Sequence, residues 1–374
     1  MLYKTYMHIK KGIFMIWMLM FVGAAVASIL GIIYMTNSIA KFKVIKNKLV
    51  AFLILVVLFL IFTFTLEWIN ALTITIYNTG FFLIFGLLGR IVRRFSKREF
   101  KVHWQGLLAI LSSVLFLGTG YYLCASVVEK DYNLTTEKDT GDIKIAMLSD
   151  SHIGTTFDGE GFAKHLKTIE AQSPDILLIV GDFVDDSSKK EDLEVACKTI
   201  GEMDLKYGAW FAYGNHDRGY FNHRDFTAED LENILQENGI HILEDESVLI
   251  DDRFYLVGRA DKGYNPDRLT MDELLQDLDT SKYIIVMDHE PADYVAEAQS
   301  AADLVLCGHT HGGQMIPITK FGVWSGIDDS TYGLEEHNNT NFIVSSGISD
   351  WAIRFKTGTR SEYVVVNVSS KMAH

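Results

Sequence analysis

The feature that most restricts what this chain can fold into lies in its first 128 residues. Three apolar runs there exceed the length of any ordinary strand: 12–36 (GIFMIWMLMFVGAAVASILGIIYMT), Leu49 to about Val92, and 106–128 (GLLAILSSVLFLGTGYYLCASVV). At about 1.5 Å per residue, each can cross the roughly 30 Å of hydrocarbon in a bilayer. The middle run is too long for one crossing, and its only acid falls in EWIN at 67–70. We therefore read four spans, at about 12–36, 49–67, 72–91 and 106–128, in an all-α transmembrane region covering 1–128. A cleaved signal peptide supplies a single short apolar segment and does not account for this pattern.

Charge divides the chain at the same place. Up to Val128 there are 13 Lys and Arg against 2 acids, and beyond it 21 against 46, so the net −14 is the sum of +11 and −25. Short loops rich in Lys and Arg stay on the cytoplasmic side of a membrane. Lys41, Lys43, Lys46 and Lys48 fall between spans one and two; Arg90, Arg93, Arg94, Lys97, Arg98 and Lys101 fall between spans three and four. Both loops lie on one face, which puts everything after Val128 on the other. Lys4, Lys10 and Lys11 at the N-terminus vote the opposite way. The expectation is a multi-pass protein of the cell membrane with an extracytoplasmic C-terminal domain. The loop 90–101 reads as a topology determinant touching anionic headgroups, and no nucleic-acid partner is expected.

The polar stretch EKDYNLTTEKDTGD (129–142) reads as a linker, and 143–374 as one domain. Short apolar runs alternate there with amphipathic stretches near 159–172, 189–203 and 227–237, which is the pattern of a layered α/β domain. Cys124, Cys197 and Cys307 match neither a disulfide framework nor a zinc knuckle, and free thiols are expected.

Chemistry gathers where those apolar runs end. IKIAML leads into SDSHIG, giving Asp150 and His152; ILLIV into GDFVDD, giving Asp182; AWFAY into GNHD, giving Asn215, His216 and Asp217. YIIVM leads into DHEP with His289, and LVLC into GHTHGGQ with His309 and His311. Taken singly, each piece is compatible with a solvated turn or a helix cap. Taken in order, five polar clusters that follow five buried strands are how α/β sheets assemble a site along one edge. Carboxylates with neutral imidazoles suit Mn, Fe, Zn, Ni or Co, and the lack of thiolates argues against a structural zinc. Two such ions about 3.5–4 Å apart clamp an in-line displacement at phosphorus and generate a nucleophile from water near neutral pH. A carboxylate between them would hold that spacing, and Asp182 is the candidate.

With these motifs in view, the region 143–374 resembles the calcineurin-like metallophosphoesterases, whose D-x-H, G-D-x-x-D, G-N-H-D/E, lone H and G-H-x-H motifs stand here as DSH, GDFVD, GNHD, His289 and GHTH. The GHTHGGQ extension resembles a membrane-associated bacterial branch. The resemblance implies a four-layer αββα sandwich of two sheets flanked by helices. It implies Asp150, His152, Asp182 and His311 around one ion, and Asp182, Asn215, His289 and His309 around the other. It makes His216 a non-ligand that protonates the leaving group or stabilises the phosphoryl, with Asp217 orienting it. Asp185 is either a partner of a metal-bound imidazole or a solvated turn acid. Arg218 and Arg354 are candidates for holding substrate phosphate, while Asp288 and Glu290 read as structural. The expected function is a membrane-anchored phosphohydrolase acting on a phosphomonoester, phosphodiester or pyrophosphate, with a lipid-linked or membrane-surface substrate. The alternative is a membrane sensor or scaffold whose phosphoesterase domain only binds ligand. Loops 218–226, 259–270 and 315–340 would carry specificity, in no pattern that can be decoded from sequence.

Overall fold

A computed structural model describes residues 2–42, 44–96, 102–221 and 223–371, with side chains from Met18 onward. Among the residues of the topology argument, Lys43, Lys97, Arg98 and Lys101 lie outside the described residues, as do the side chains of Lys4, Lys10 and Lys11. The chain forms two compact units, Met1–Thr119 and Gly120–His374.

Four long helices open the chain: α1 (Leu2–Ile39), α2 (Lys48–Leu66), α3 (Trp68–Ser96) and α4 (Trp104–Ala125). All four contain stretches long and apolar enough to cross a membrane, and large side chains such as Leu53, Phe64, Leu87 and Leu115 are exposed along them. The expected first span at 12–36 lies inside a longer helix, and the break between the second and third is Glu67 alone, with φ 70°. Residues 68–70 therefore belong to α3. Several polar side chains in these helices satisfy themselves locally, as suits apolar surroundings: Asn70, Thr75 and Asn78 donate to the carbonyls four residues back at 2.8–2.9 Å. A Cβ at Gly31 would collide with Thr79, so α1 and α3 approach closely through a small residue.

The second unit holds two six-stranded sheets. The first contains β1 (Val128–Thr136), β2 (Ile143–Leu148), β3 (Ile176–Val180), β4 (Ala209–Ala212), β5 (Ile240–Leu243) and β12 (Glu362–Ser370), in the order β1-β12-β2-β3-β4-β5. The second contains β6 (Glu246–Ile250), β7 (Phe254–Gly258), β8 (Tyr283–Met287), β9 (Leu304–Cys307), β10 (Gly333–His337) and β11 (Thr340–Val344), in the order β10-β11-β9-β8-β7-β6. The linker expected at 129–142 is corrected here. Val128–Thr136 is an edge strand running parallel to β12, with Val128 opposite Glu362. Its charged residues suit an edge, where one side of the strand meets water.

Period-two geometry explains the near-continuous apolar strands. In β2, Ile143, Ile145 and Met147 face the second sheet and meet Leu256, Ile285 and Leu306. Ala146 and Leu148 face the other way, toward α5 (Gly159–Glu170), α6 (Lys190–Gly201) and α7 (Ala228–Glu237) through Phe162, Leu193 and Leu231. The outer face of the second sheet packs Ile284, Val286 and Val305 against α8 (Met271–Leu275) and α9 (Tyr294–Gln299). The result is helix, sheet, sheet, helix, the expected four-layer αββα arrangement. All three cysteines are free and buried.

Candidate metal centre

The C-terminal ends of β2, β3, β4, β8 and β9 point their polar sequels at one place. Two groups of donors result, Asp150 with His152 and His311, and Asp182 with His289 and His309; within each group the ligand atoms all lie within 4.8 Å of one another. The chain turns sharply to achieve this. Asp150, His152, Asp182, His309 and His311 all have left-handed backbone, with φ of 52°, 37°, 51°, 70° and 48°. Such residues cost roughly 1–3 kcal/mol each and cluster where structure serves a site. The carboxylates press so close to their neighbours that a Cβ at Gly214 would strike Asp182, and one at Gly308 would strike Asp150. Glycine is required at both by space rather than by φ.

Asp182 stands between the groups. Its Oδ2 lies 3.1 Å from His289 Nε2 and 3.6 Å from His152 Nε2. Its Oδ1 accepts from the His216 N–H at 2.8 Å. In the first group, His311 Nε2 lies 3.6 Å from Asp150 Oδ1. Asn215 joins the second group, its Oδ1 2.9 Å from His309 Nδ1 and its amide donating to the Tyr220 hydroxyl at 2.9 Å.

Backing groups orient the rings. His289 Nδ1 lies 2.9 Å from the Val180 carbonyl, which can only accept, so Nδ1 carries a proton and Nε2 is the atom turned toward Asp182. His152 Nδ1 faces Asp185 Oδ2 at 3.3 Å, and His311 Nδ1 faces Asp350 Oδ1 at 3.4 Å. Asp185 is thus buried behind an imidazole rather than solvated. Asp350 in turn meets Lys356 Nζ at 3.2 Å, and both are fully buried.

The donor set fits a pair of cations. Asp150 Oδ2, His152 Nε2 and His289 Nε2 are buried with no hydrogen bond formed, a state that ordinarily costs about 1–3 kcal/mol per group. Burial would raise the Asp150 carboxyl, yet His311 and His289 hold it below its ordinary value. Burial would lower His289, yet Asp182 beside it holds it well above. Each carboxylate is pulling positive charge toward itself, and metal ions meet that demand while leaving the imidazoles neutral and able to ligate.

Other expected site residues divide. His216 lies beside the first group, its ring centre 5.1 Å from that of His152, 5.1 Å from Tyr220 and 5.3 Å from Trp351. Burial pushes its imidazole down to about 4. Asp217 does not orient His216. Its two oxygens accept from the backbone N–H groups of Gly214, Asp182, Phe183 and Val184 at 2.7–3.1 Å, tying the GNHD turn to the GDFVD turn. Arg218, expected as a phosphate contact, gives both guanidinium nitrogens to Glu244 at 2.7 and 2.6 Å and lies 4.1 Å over the Tyr213 ring. Arg354 is half-buried in the loop after Trp351. Asp288 is structural as expected, bridging Arg259 and Arg268 at 2.8 and 2.9 Å. Sequence reasoning missed Asp350 and Lys356, which belong to no motif.

Fold and site together define a metallophosphoesterase. The calcineurin-like phosphoesterase family model matches residues 143–313. An uncharacterized metallophosphoesterase of Aquifex aeolicus is 30% identical over 256 residues, which cover 65% of this chain and 92% of that one; the chain belongs to this family. One from Campylobacter jejuni is 32% identical over 240 residues, 62% of this chain, and the match spans 60% of that relative's length. A Danio rerio transmembrane protein with metallophosphoesterase domain is 25% identical over 340 residues, 82% of this chain and 75% of its own.

Proposed function

We propose that this chain is a multi-pass membrane protein that hydrolyses a phosphomonoester, phosphodiester or pyrophosphate with two divalent ions drawn from Mn, Fe, Zn, Ni and Co. The observation that carries the reading is the single oxygen of Asp182 lying between His289 and His152, which belong to different donor groups. Asp150, His152 and His311 would hold one ion, Asn215, His289 and His309 the other, and Asp182 both. Bound there, such ions stabilise the attacking and departing oxygens and lower the pKa of water. The chain's own part is to fix the donors with Asp185, Asp350 and the Val180 carbonyl, and to present His216 as a hydrogen-bonding or proton-donating group to the phosphoryl. Membrane helices at one end of the chain support a lipid-linked or membrane-surface substrate.

Detergent-purified full-length protein should contain about two transition-metal ions per chain and turn over p-nitrophenyl phosphate or bis-p-nitrophenyl phosphate. Full metal content with no turnover on either, or on lipid phosphates, would instead favour a ligand-binding sensor. The basic loops support an extracytoplasmic catalytic unit, as does the transmembrane relative from Danio rerio for the membrane itself. An alkaline phosphatase fused after His374 should be active and a GFP fusion dark; the reverse result would place the domain in the cytoplasm.

A further inference from the structure

Exposed apolar side chains are not spread evenly over the Gly120–His374 unit. Among the described residues from Val128 on, twelve large apolar side chains are exposed, and six of them fall in one short loop: Ile316, Ile318, Phe321, Val323, Trp324 and Ile327. Phe321 is 61% and Trp324 73% exposed, on and around the short helix α10 (Phe321–Ser325). Between 315 and 327 the one charged residue is Lys320, in a region whose net charge is −25. A run of exposed apolar side chains with a single cation among them suits a membrane surface, and aromatic rings favour the headgroup boundary.

The loop is fastened to the metal centre at both ends. It begins four residues after His311, and just past its far end the Asp329 N–H donates to the Pro291 carbonyl at 2.7 Å, two residues past His289. Thr310, between His309 and His311, donates its hydroxyl to the Thr331 carbonyl at 2.6 Å. The loop is also braced, through segment 355–361, to the last turns of α4. Thr357 donates its N–H to the Gln314 carbonyl at 2.8 Å, and the Ile316 N–H donates to the Thr357 hydroxyl at 2.9 Å. On its other side the Lys356 N–H donates to the Gly120 carbonyl at 2.9 Å, and the Ser361 N–H to the Leu123 carbonyl at 3.1 Å. Tyr121 and Tyr122, in those turns, are exposed.

We propose that the 315–327 loop docks on the lipid bilayer, with Phe321 and Trp324 entering the headgroup boundary, and so holds the two donor groups against the membrane for a phosphoester carried by a lipid. This rests on the reading of α4 as a membrane span given above. The occupant is lipid rather than another protein because one brace joins the loop to the end of an apolar helix. That helix is itself committed to the bilayer and ends in exposed tyrosines.

The test uses the full chain in nanodiscs. Ile318→Cys is labelled with the fluorophore NBD; the native cysteines are buried, and the unsubstituted chain serves as the labelling control. Emission should shift to the blue and fall at least about twofold when brominated phosphatidylcholine is included, while a label at Val295→Cys, 70% exposed on α9, should not respond. Water-like, unquenched emission at 318 overturns the proposal, as does blue-shifted but unquenched emission with self-association, which would mean a second copy covers the loop. In a second arm, Phe321→Ser/Trp324→Ser should leave turnover of p-nitrophenyl phosphate within about twofold and lower turnover of vesicle-borne lipid phosphate at least about tenfold. Equal losses on both substrates overturn it. Quenching needs no turnover, so an inactive protein with a quenched loop counts against the hydrolase reading and leaves the docking standing.

Discussion

The two donor groups are built from the same residue types, one aspartate and two histidines each, yet they are held in different ways. In the first, His152 is backed by the Asp185 carboxylate, and His311 Nδ1 lies 3.4 Å from both the Asp350 carboxylate, itself paired with Lys356, and the Ser349 carbonyl. In the second, His289 is backed by the neutral Val180 carbonyl, and His309 meets Asn215, which is steadied by the Tyr220 hydroxyl. A carboxylate behind an imidazole makes the ring a better donor and adds negative potential. The first group should therefore grip its cation by charge, and the second should depend on the negative charge it shares through Asp182. Residue type at the ligand position does not set affinity alone; what stands behind it does.

The change with the largest expected effect erases the distinction. Asp182→Asn removes the charge common to both groups, so metal content measured by plasma mass spectrometry should fall at both positions and turnover should drop below detection. Retention of either ion at wild-type occupancy would show that Asp182 is not shared. Next, His216→Gln should leave both ions bound and cost about 10²–10⁴-fold in rate, with less loss on substrates whose leaving groups need little protonation. Metal loss in this variant would place His216 among the ligands. A smaller and more selective effect separates the groups: Asp185→Asn or Asp350→Asn should weaken one ion by about 10–100-fold and spare the other, as read by competition with a metallochromic chelator. The mildest is Tyr220→Phe, which removes one hydrogen bond to Asn215 worth about 0.5–1.5 kcal/mol and should loosen the second ion by no more than roughly tenfold. If Tyr220→Phe costs more than Asp185→Asn, the assignment of tight and loose positions is reversed.

Much of this architecture was legible because it is written locally. Strands β2, β3, β8 and β9 are apolar runs with both faces buried, and the donors follow each strand within a few residues. What escaped was settled by distant pairing. Val128–Thr136 carries Glu129, Lys130 and Asp131 and reads as solvent-facing chain, yet its backbone pairs with β12, 234 residues away along the sequence. Asp350 and Lys356 have no signature, because a buried ion pair behind a ligand is defined by depth and not by spacing. Arg218 and Asp217 show the converse: polar residues inside a motif can serve the scaffold, one gripping Glu244 and the other stapling two turns.

The order of strands in the first sheet also sets an order of events during synthesis. β12 lies between β1 and β2, so the strand that closes the sheet leaves the ribosome after both its neighbours. Until then a slot stays open between them, with two unpaired edges beside a helix already suited to a bilayer. Long-range pairing of this kind forms slowly and exposes edges to wrong partners. A nascent chain stalled before Glu362 should stay sensitive to protease and prone to capture by chaperones, and should become resistant only when β12 slides into place. The Gly120–His374 unit is thus completed from within its first sheet by its last strand, long after its first has been made.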